Sequence, residues 1–255
     1  MTISIEQFEF HQDNLGFLLH DNQTGATVAI DAGHEEKIQA ALQKRGWQLS
    51  HILITHHDWD HTDGILSLKK QFNVRVFGPK QQAHKIKGLD ELLEGGDTIN
   101  VGNIELQVIE TSGHTKGHIS FFNPKYFKLF CGDALFSLGC GRMRESDAKT
   151  MWEGLDRLRQ LPDQTDVYCG HEYSADNARF ALSIDPDNLV LQKRAEEIKT
   201  LRAANRSTIP FNLGVDKKAN PFLRADDKEL GARMSFNSND PAGVFAVIRK
   251  AKDIF

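Results

Sequence analysis

Six consecutive residues, His56-His57-Asp58-Trp59-Asp60-His61, carry three imidazoles and two carboxylates. No packed core calls for such a run, because carboxylates crowded onto one segment repel each other unless a cation offsets them. Neutral imidazole and ionised carboxylate are the donors that zinc, manganese and iron accept. The run follows His51-Ile52-Leu53-Ile54, a short buried-strand pattern, and precedes Ile65, Leu66, Leu68 and Phe72 at helical spacing. That order predicts a loop at the carboxyl end of a strand, the usual place for a site in layered α/β proteins.

Three more ligand-type residues stand at predicted strand ends or loops, each directly after a glycine: His114 after Gly113, Asp133 after Gly132 and His171 after Gly170. A glycine there suits a tight backbone turn. Singly, each is an ordinary loop residue; together and in this order they read as a metal-ligand set. Residues 3–10, 15–19 and 27–30 read as strands, and 35–45 as a helix with Ile38, Ala41 and Leu42 on one face. Further strands are expected at 74–77, 104–109, 118–122, 127–131 and 166–169, with a helix over 148–160. Sheets flanked by helices follow from this mixture. From residue 174 the pattern turns helical: 174–184, 188–205 and 241–252 read as helices, and 209–221 as a loop. The expected division is a catalytic domain over 1–173 and a helical domain over 174–255.

Bulk properties exclude several classes. The chain has 255 residues, 40% hydrophobic and 26% charged, as an ordinary globular protein does. A formal net charge of −4 invites neither nucleic acid nor an anionic membrane surface. No apolar run approaches the roughly 20 residues that span a bilayer, and the N-terminal stretch, with Glu6 and Glu9, lacks the order of a signal peptide. Cys131, Cys140 and Cys169 are odd in number and form no C-x-x-C pair, which predicts free thiols in a reducing, cytoplasmic compartment. A monomer acting on a small molecule is expected.

The ordered ligand set resembles that of the metallo-β-lactamase superfamily, whose signature T-H-x-H-x-D-H is followed by a distant His, an Asp and a last His. The resemblance implies an α+β fold, a four-layer αββα sandwich, here with a C-terminal helical domain. It also implies two metal ions: His56, position 58 and His114 on one, Asp60, His61 and His171 on the other, and Asp133 between them. Within the superfamily the chain is similar to glyoxalase II, the hydroxyacylglutathione hydrolases. The strings that carry this are Gly132-Asp133-Ala134-Leu135-Phe136-Ser137, Gly139-Cys140-Gly141-Arg142, Tyr168-Cys169-Gly170-His171-Glu172-Tyr173, Asn220-Pro221-Phe222-Leu223-Arg224 and the ending Arg249-Lys250-Ala251-Lys252-Asp253-Ile254-Phe255. The tail discriminates best, because the metal motif is shared by many activities. The implied reaction is hydrolysis of S-D-lactoylglutathione to D-lactate and glutathione by a metal-bridging hydroxide, the second step of methylglyoxal detoxification. Asp60 and Asp133 would be the catalytic carboxylates. Arg142, Arg144, Tyr173, Arg249 and Lys252 would hold the glutathione thioester.

One departure stands out. The signature has His at position 58, and this chain has Asp58. In an extended loop 56, 58 and 60 share a side and His57 does not, so Asp58 and not His57 is the expected ligand. The site then carries one negative charge more than usual. The implied cofactors are two divalent ions, zinc first, with iron or manganese also admitted because a carboxylate is a harder donor. Two alternatives remain: another thioesterase or lactonase of this fold, or an iron-dependent persulfide dioxygenase.

Overall fold

A computed structural model describes residues 3–236 and 239–255. Met1 and Thr2 of the expected 1–173 span, and Asn237 and Ser238 of the 174–255 span, lie outside the described residues. By backbone contacts the chain divides into two compact units. Unit 1 comprises Met1–Glu110 and Lys116–Gly132, and unit 2 comprises Thr111–Thr115 and Asp133–Phe255.

Unit 1 starts with an antiparallel hairpin, β1 (Ile3–Phe10) and β2 (Asn14–Asp21), followed by β3 (Thr27–Ile30), also antiparallel to β2. The chain then turns parallel. α1 (Glu35–Arg45) crosses to β4 (His51–Leu53); α2 (Trp59–Thr62) and α3 (Ile65–Phe72) cross to β5 (Arg75–Pro79), and β6 (Glu91–Leu93) closes the sheet. The order is β1-β2-β3-β4-β5-β6. β2 and β3 are buried along their whole length, which is why they read as apolar runs and not as alternation. α1 packs Ile38, Ala41 and Leu42 into a core with Ile52, Ile54, Leu68 and Val76. Each of the isoleucine, leucine and valine side chains contributes roughly 1.5–3 kcal/mol by leaving water. Gly46 ends α1 in the left-handed conformation, φ 66°, which costs glycine least. The strands β7 (Thr98–Val101), β8 (Ile104–Glu110), β9 (Ile119–Asn123) and β10 (Lys128–Phe130) pair antiparallel in the order β10-β9-β8-β7. Phe130 of β10 meets Phe17 of β2 with ring centroids 5.9 Å apart.

Unit 2 opens with a two-residue hairpin, β11 (Leu135–Phe136) and β12 (Gly139–Cys140), then α4 (Ala148–Arg159) and β13 (Asp166–Tyr168). The helical part follows: α5 (Ser174–Ile184), α6 (Leu189–Ala203), β14 (Phe211–Asn212), α7 (Leu213–Ala219), α8 (Lys228–Arg233) and α9 (Pro241–Asp253). Asn188, Asn212, Asp227 and Asp240 each stand just before a helix and accept a hydrogen bond from its first-turn N–H groups, which sets those boundaries. Phe180, Phe222 and Phe245 form a chain of ring contacts, 6.1 and 5.7 Å between centroids, and Trp152 of α4 joins it at 6.5 Å.

Two expectations need correction. Residues 209–221 are not a loop; they hold β14 and α7. Each element is too short for periodicity to register, and Gly214 lowers the helical signal. Residues 56–60 are not extended throughout, because α2 begins at Trp59. Edge strands β6 and β7 and the six-residue α8 also escape the sequence pattern.

Candidate metal centre

The two units each carry a set of ligand-type side chains. In unit 1 the set lies where β4 ends. Ile119 N–H donates to the carbonyl of Thr55 (3.0 Å), and Thr55 N–H donates to Asp31 Oδ1 (2.7 Å), so the strand exit is pinned from both sides. Asp31 follows β3 with φ 60°, a left-handed conformation that aspartate tolerates better than most residues. Its other oxygen meets His61 Nδ1 at 2.8 Å. A carboxylate on Nδ1 fixes the tautomer and aims Nε2 as a ligand. His56 Nδ1 meets Thr55 Oγ1 at 2.9 Å, with the same consequence for that ring. Asn14, at the start of β2, donates from Nδ2 to Asp60 Oδ2 at 2.9 Å. Gly33 leaves room for this arrangement: a Cβ there would come within 1.6 Å of the Asp60 carbonyl.

Asp58 stands at the N-cap of α2, where an aspartate side chain usually accepts from the first turn; it makes no capping hydrogen bond. Its Oδ2 instead lies 3.7 Å from His56 Nε2. His57 has Nδ1 3.2 Å from Gln82 Oε1, and its Nε2 lies 3.4 Å from Lys85 Nζ and 3.8 Å from Asp58 Oδ1.

In unit 2, His114, Asp133 and His171 are all buried. Asp133 Oδ2 lies 3.7 Å from His114 Nε2 and 3.2 Å from His171 Nε2. His114 Nδ1 donates to the carbonyl of Arg142 at 2.9 Å. His171 stacks on Tyr173, ring centroids 4.8 Å apart and nearly parallel. The three glycines ahead of the ligands divide. Gly132 has φ 46°, as a tight turn requires. Gly113 does not have positive φ; a Cβ there would strike Met151 of α4 at 2.5 Å, so close packing is its reason.

The donor set fits a metal. Two donors on one tetrahedral zinc, each at ~2.0–2.1 Å, lie about 3.3 Å apart. The four imidazole–carboxylate separations, His56–Asp58, His61–Asp60 (3.8 Å), His114–Asp133 and His171–Asp133, run from 3.2 to 3.8 Å. Separations of this size leave room for a shared ion; the His57–Asp58 pair, at 3.8 Å, has the same spacing. Asp31 also falls within 4.8 Å of His56 and His61, but its carboxylate already accepts from Thr55 and faces Nδ1, which makes it a support.

Of the expected substrate contacts, Arg142 and Arg144 are exposed and Tyr173 partly so. Lys252 donates from Nζ to the Asp176 carbonyl at 3.0 Å, and burial holds its pKa below the usual lysine range. The expectation for Arg249 is amended. It is 3% exposed, donates from Nη1 to the Cys140 and Gly141 carbonyls (3.1 and 3.5 Å) and pairs with Asp253. That guanidinium holds backbone in place. Sequence reading missed Asn14 and Asp31. The string Asp31-Ala32-Gly33 after a strand was a signal for the second; Asp13-Asn14 reads as an ordinary turn.

Comparison with known proteins agrees with this geometry. The family model described as "Metallo-beta-lactamase superfamily" matches residues 17–171, and the one described as "Hydroxyacylglutathione hydrolase C-terminus" matches 172–255. A Chelativorans sp. (strain BNC1) protein named hydroxyacylglutathione hydrolase is 46% identical over 255 residues, all of both chains. A Rhizobium meliloti (strain 1021) protein of the same name is 46% identical over 254 residues, 100% of this chain and 99% of that one. The crystal structure of ETHE1 from Myxococcus xanthus superposes with a TM-score of 0.68 at 23% identity, covering 98% of this chain and 99% of that one, which shows the fold.

Proposed function

Because the chain belongs to the hydroxyacylglutathione hydrolase family of the metallo-β-lactamase superfamily, an α+β sandwich fold of metal-binding hydrolases, we propose that it hydrolyses S-D-lactoylglutathione to D-lactate and glutathione. The observation that carries the reading is identity at 46% from end to end, helical tail included, with relatives of that name. Residues 1–173 would supply the catalysis and 174–255 the substrate-binding helices.

By the family's motif, His56, Asp58 and His114 would hold one divalent ion and Asp60, His61 and His171 a second, with Asp133 a ligand to both. Bound there, the ions would lower the pKa of a water from ~15.7 toward about 7 and stabilise negative charge at the thioester carbonyl. The chain's own residues do the rest. Asp60, held by Asn14, accepts a hydrogen bond from the attacking oxygen and so orients it. Asp31 keeps His61 in one tautomer. The leaving thiolate has a reference pKa near ~8.5, so no dedicated general acid is required. Arg142, Arg144, Lys252 and Tyr173 would receive the glutathione moiety, and Arg249 would act by holding the turn that presents Arg142. Zinc is the proposed metal, with iron or manganese admitted by the carboxylate of Asp58. The free thiols of Cys131, Cys140 and Cys169 support a cytoplasmic setting. Among the described residues, no helix is long and apolar enough to cross a membrane.

The test pairs elemental analysis of protein purified without added metal with a lactoylglutathione hydrolysis assay. Two metals per chain with turnover is the expected result. Less than one metal and no turnover would overturn the reading.

A further inference from the structure

The hairpin β11–β12 joins Asp133 to Arg142, and its turn, Ser137-Leu138, is inserted among the helices of unit 2. Leu138 is fully buried in a core with Ala178, Ala181, Leu191, Ile198 and Ala219. It adopts φ 58°, a left-handed conformation unfavourable for leucine that persists only where its surroundings impose it. The surroundings are polar side chains from four separate helical segments. Asp216 of α7 accepts from Leu138 N–H at 2.8 Å and from Ser137 Oγ at 3.4 Å. Asn220 donates to the Phe136 carbonyl (3.2 Å), the Gly139 carbonyl (3.0 Å) and Asp216 (3.1 Å). Asn177 of α5 donates to the Ser137 carbonyl at 3.2 Å. Arg194 of α6 donates to Ser137 Oγ, and Arg249 of α9 to the Cys140 and Gly141 carbonyls.

Past the hairpin, the hold reaches the ligands. Gly141 N–H donates to the Ala134 carbonyl at 3.3 Å, and a Cβ at Gly141 would meet the Asp133 carbonyl at 2.2 Å and His114 at 3.1 Å. The next carbonyl, that of Arg142, accepts from His114 Nδ1. We propose that Asp216 and Asn220, from the helical tail, are positioning residues that hold the 136–141 backbone and through it set Asp133, His114 and Arg142 for the reaction. This rests on the hydrolase reading above. It gives the tail a second task beside receiving substrate, which is to pre-organise half of the metal centre. Burial raises the Asp216 carboxyl to about 6, against the N–H of Leu138 and the attraction of Arg194, in keeping with a group held for its hydrogen bonds at a cost in solvation.

The test compares Asp216→Ala and Asn220→Ala with a control, Leu230→Ala, a buried apolar truncation in α8. Three quantities are read on the full chain: Zn²⁺ affinity of metal-stripped protein against a chromophoric chelator, thermal midpoint, and kcat and KM for lactoylglutathione. Loss of supporting contacts to ligands typically costs about 10–100-fold. Both clamp variants should therefore lose about 10–100-fold in Zn²⁺ affinity and kcat, with a smaller rise in KM through the displaced Arg142. Leu230→Ala should lower the midpoint and leave Zn²⁺ affinity near wild type. Asp216→Asn, which keeps an acceptor for Leu138 N–H, should recover part of the loss. If the alanine variant of Asp216 does not fold, Asn220→Ala decides alone. Wild-type Zn²⁺ affinity in a folded clamp variant, or losses that track the midpoint equally in Leu230→Ala, would overturn the inference. A wild-type protein without hydrolase activity would overturn the proposed function instead and leave the Zn²⁺ arm to judge the clamp.

Discussion

The two ligand sets are built in opposite ways. In unit 1 the candidate ligands are neighbours in sequence, His56 to His61, and their supports Asn14, Asp31 and Thr55 are local or one or two strands away. In unit 2 the candidate ligands are scattered over His114, Asp133 and His171, and the 136–141 backbone beside Asp133 and His114 is held from 78 to 109 residues downstream, by Asp216, Asn220 and Arg249. A dense motif can be supported by the strand ends that carry it. A dispersed one needs a separate framework, and the helical tail supplies it.

The comparison is tested most severely at Asp133, which faces both His114 and His171. Asp133→Ala should reduce turnover by more than the about 100-fold ceiling of supporting residues, with zinc content falling in the same preparation. Turnover within tenfold of wild type would remove Asp133 from the centre. Next comes the support in unit 1. Asp31→Asn weakens the hold on His61 Nδ1 and should cost about 10–100-fold in metal affinity; a chelator titration that returns wild-type affinity would mean the two sets do not depend on their supports alike. Asp58→His restores the usual ligand. Zinc affinity should rise by on the order of tenfold, about 1.4 kcal/mol, and metal content after growth should shift toward zinc. No change in either would place Asp58 outside the metal shell.

The smallest effect is a contrast in pH response. Asp216 is raised by burial to about 6, so its stabilising contribution is complete below its ordinary 3.8 and is lost as pH rises through about 6. Asp21 of unit 1 has the opposite sign. Burial pushes it up, but hydrogen bonds from Asn103 N–H, Thr24 and Gln23 outweigh this and hold it at about 2, so its contribution is present above 3.8 and lost as pH falls through about 2. Melting curves of Asp216→Asn and Asp21→Asn against pH should diverge from wild type in these separate windows. Parallel curves would dissolve the contrast.

Much was legible from residues alone. The strand at 51–53 running into the ligand cluster, the helix at 35–45 and the long helix beginning after Asn188 all rest on local patterns, and the structure has them. His57 directs Nδ1 to Gln82 and has Nε2 3.8 Å from Asp58, and the premise of an extended loop was incomplete because α2 begins at Trp59. Arg249, expected at the substrate, is also buried against backbone carbonyls, which no local pattern shows. Nothing in its spacing reveals that Cys140 and Gly141, more than 100 residues earlier, offer it their carbonyls.

By itself the sequence determined the family, the candidate donor residues and their order, because ligand chemistry resides in residue type and a dense motif survives without knowledge of partners. Tertiary structure decided which nitrogen of each ring is held by a support, where Asp58 directs its carboxylate and what holds the Asp133–Arg142 segment. These depend on hydrogen bonds between residues far apart in the chain, and such pairings leave no local period or propensity to read.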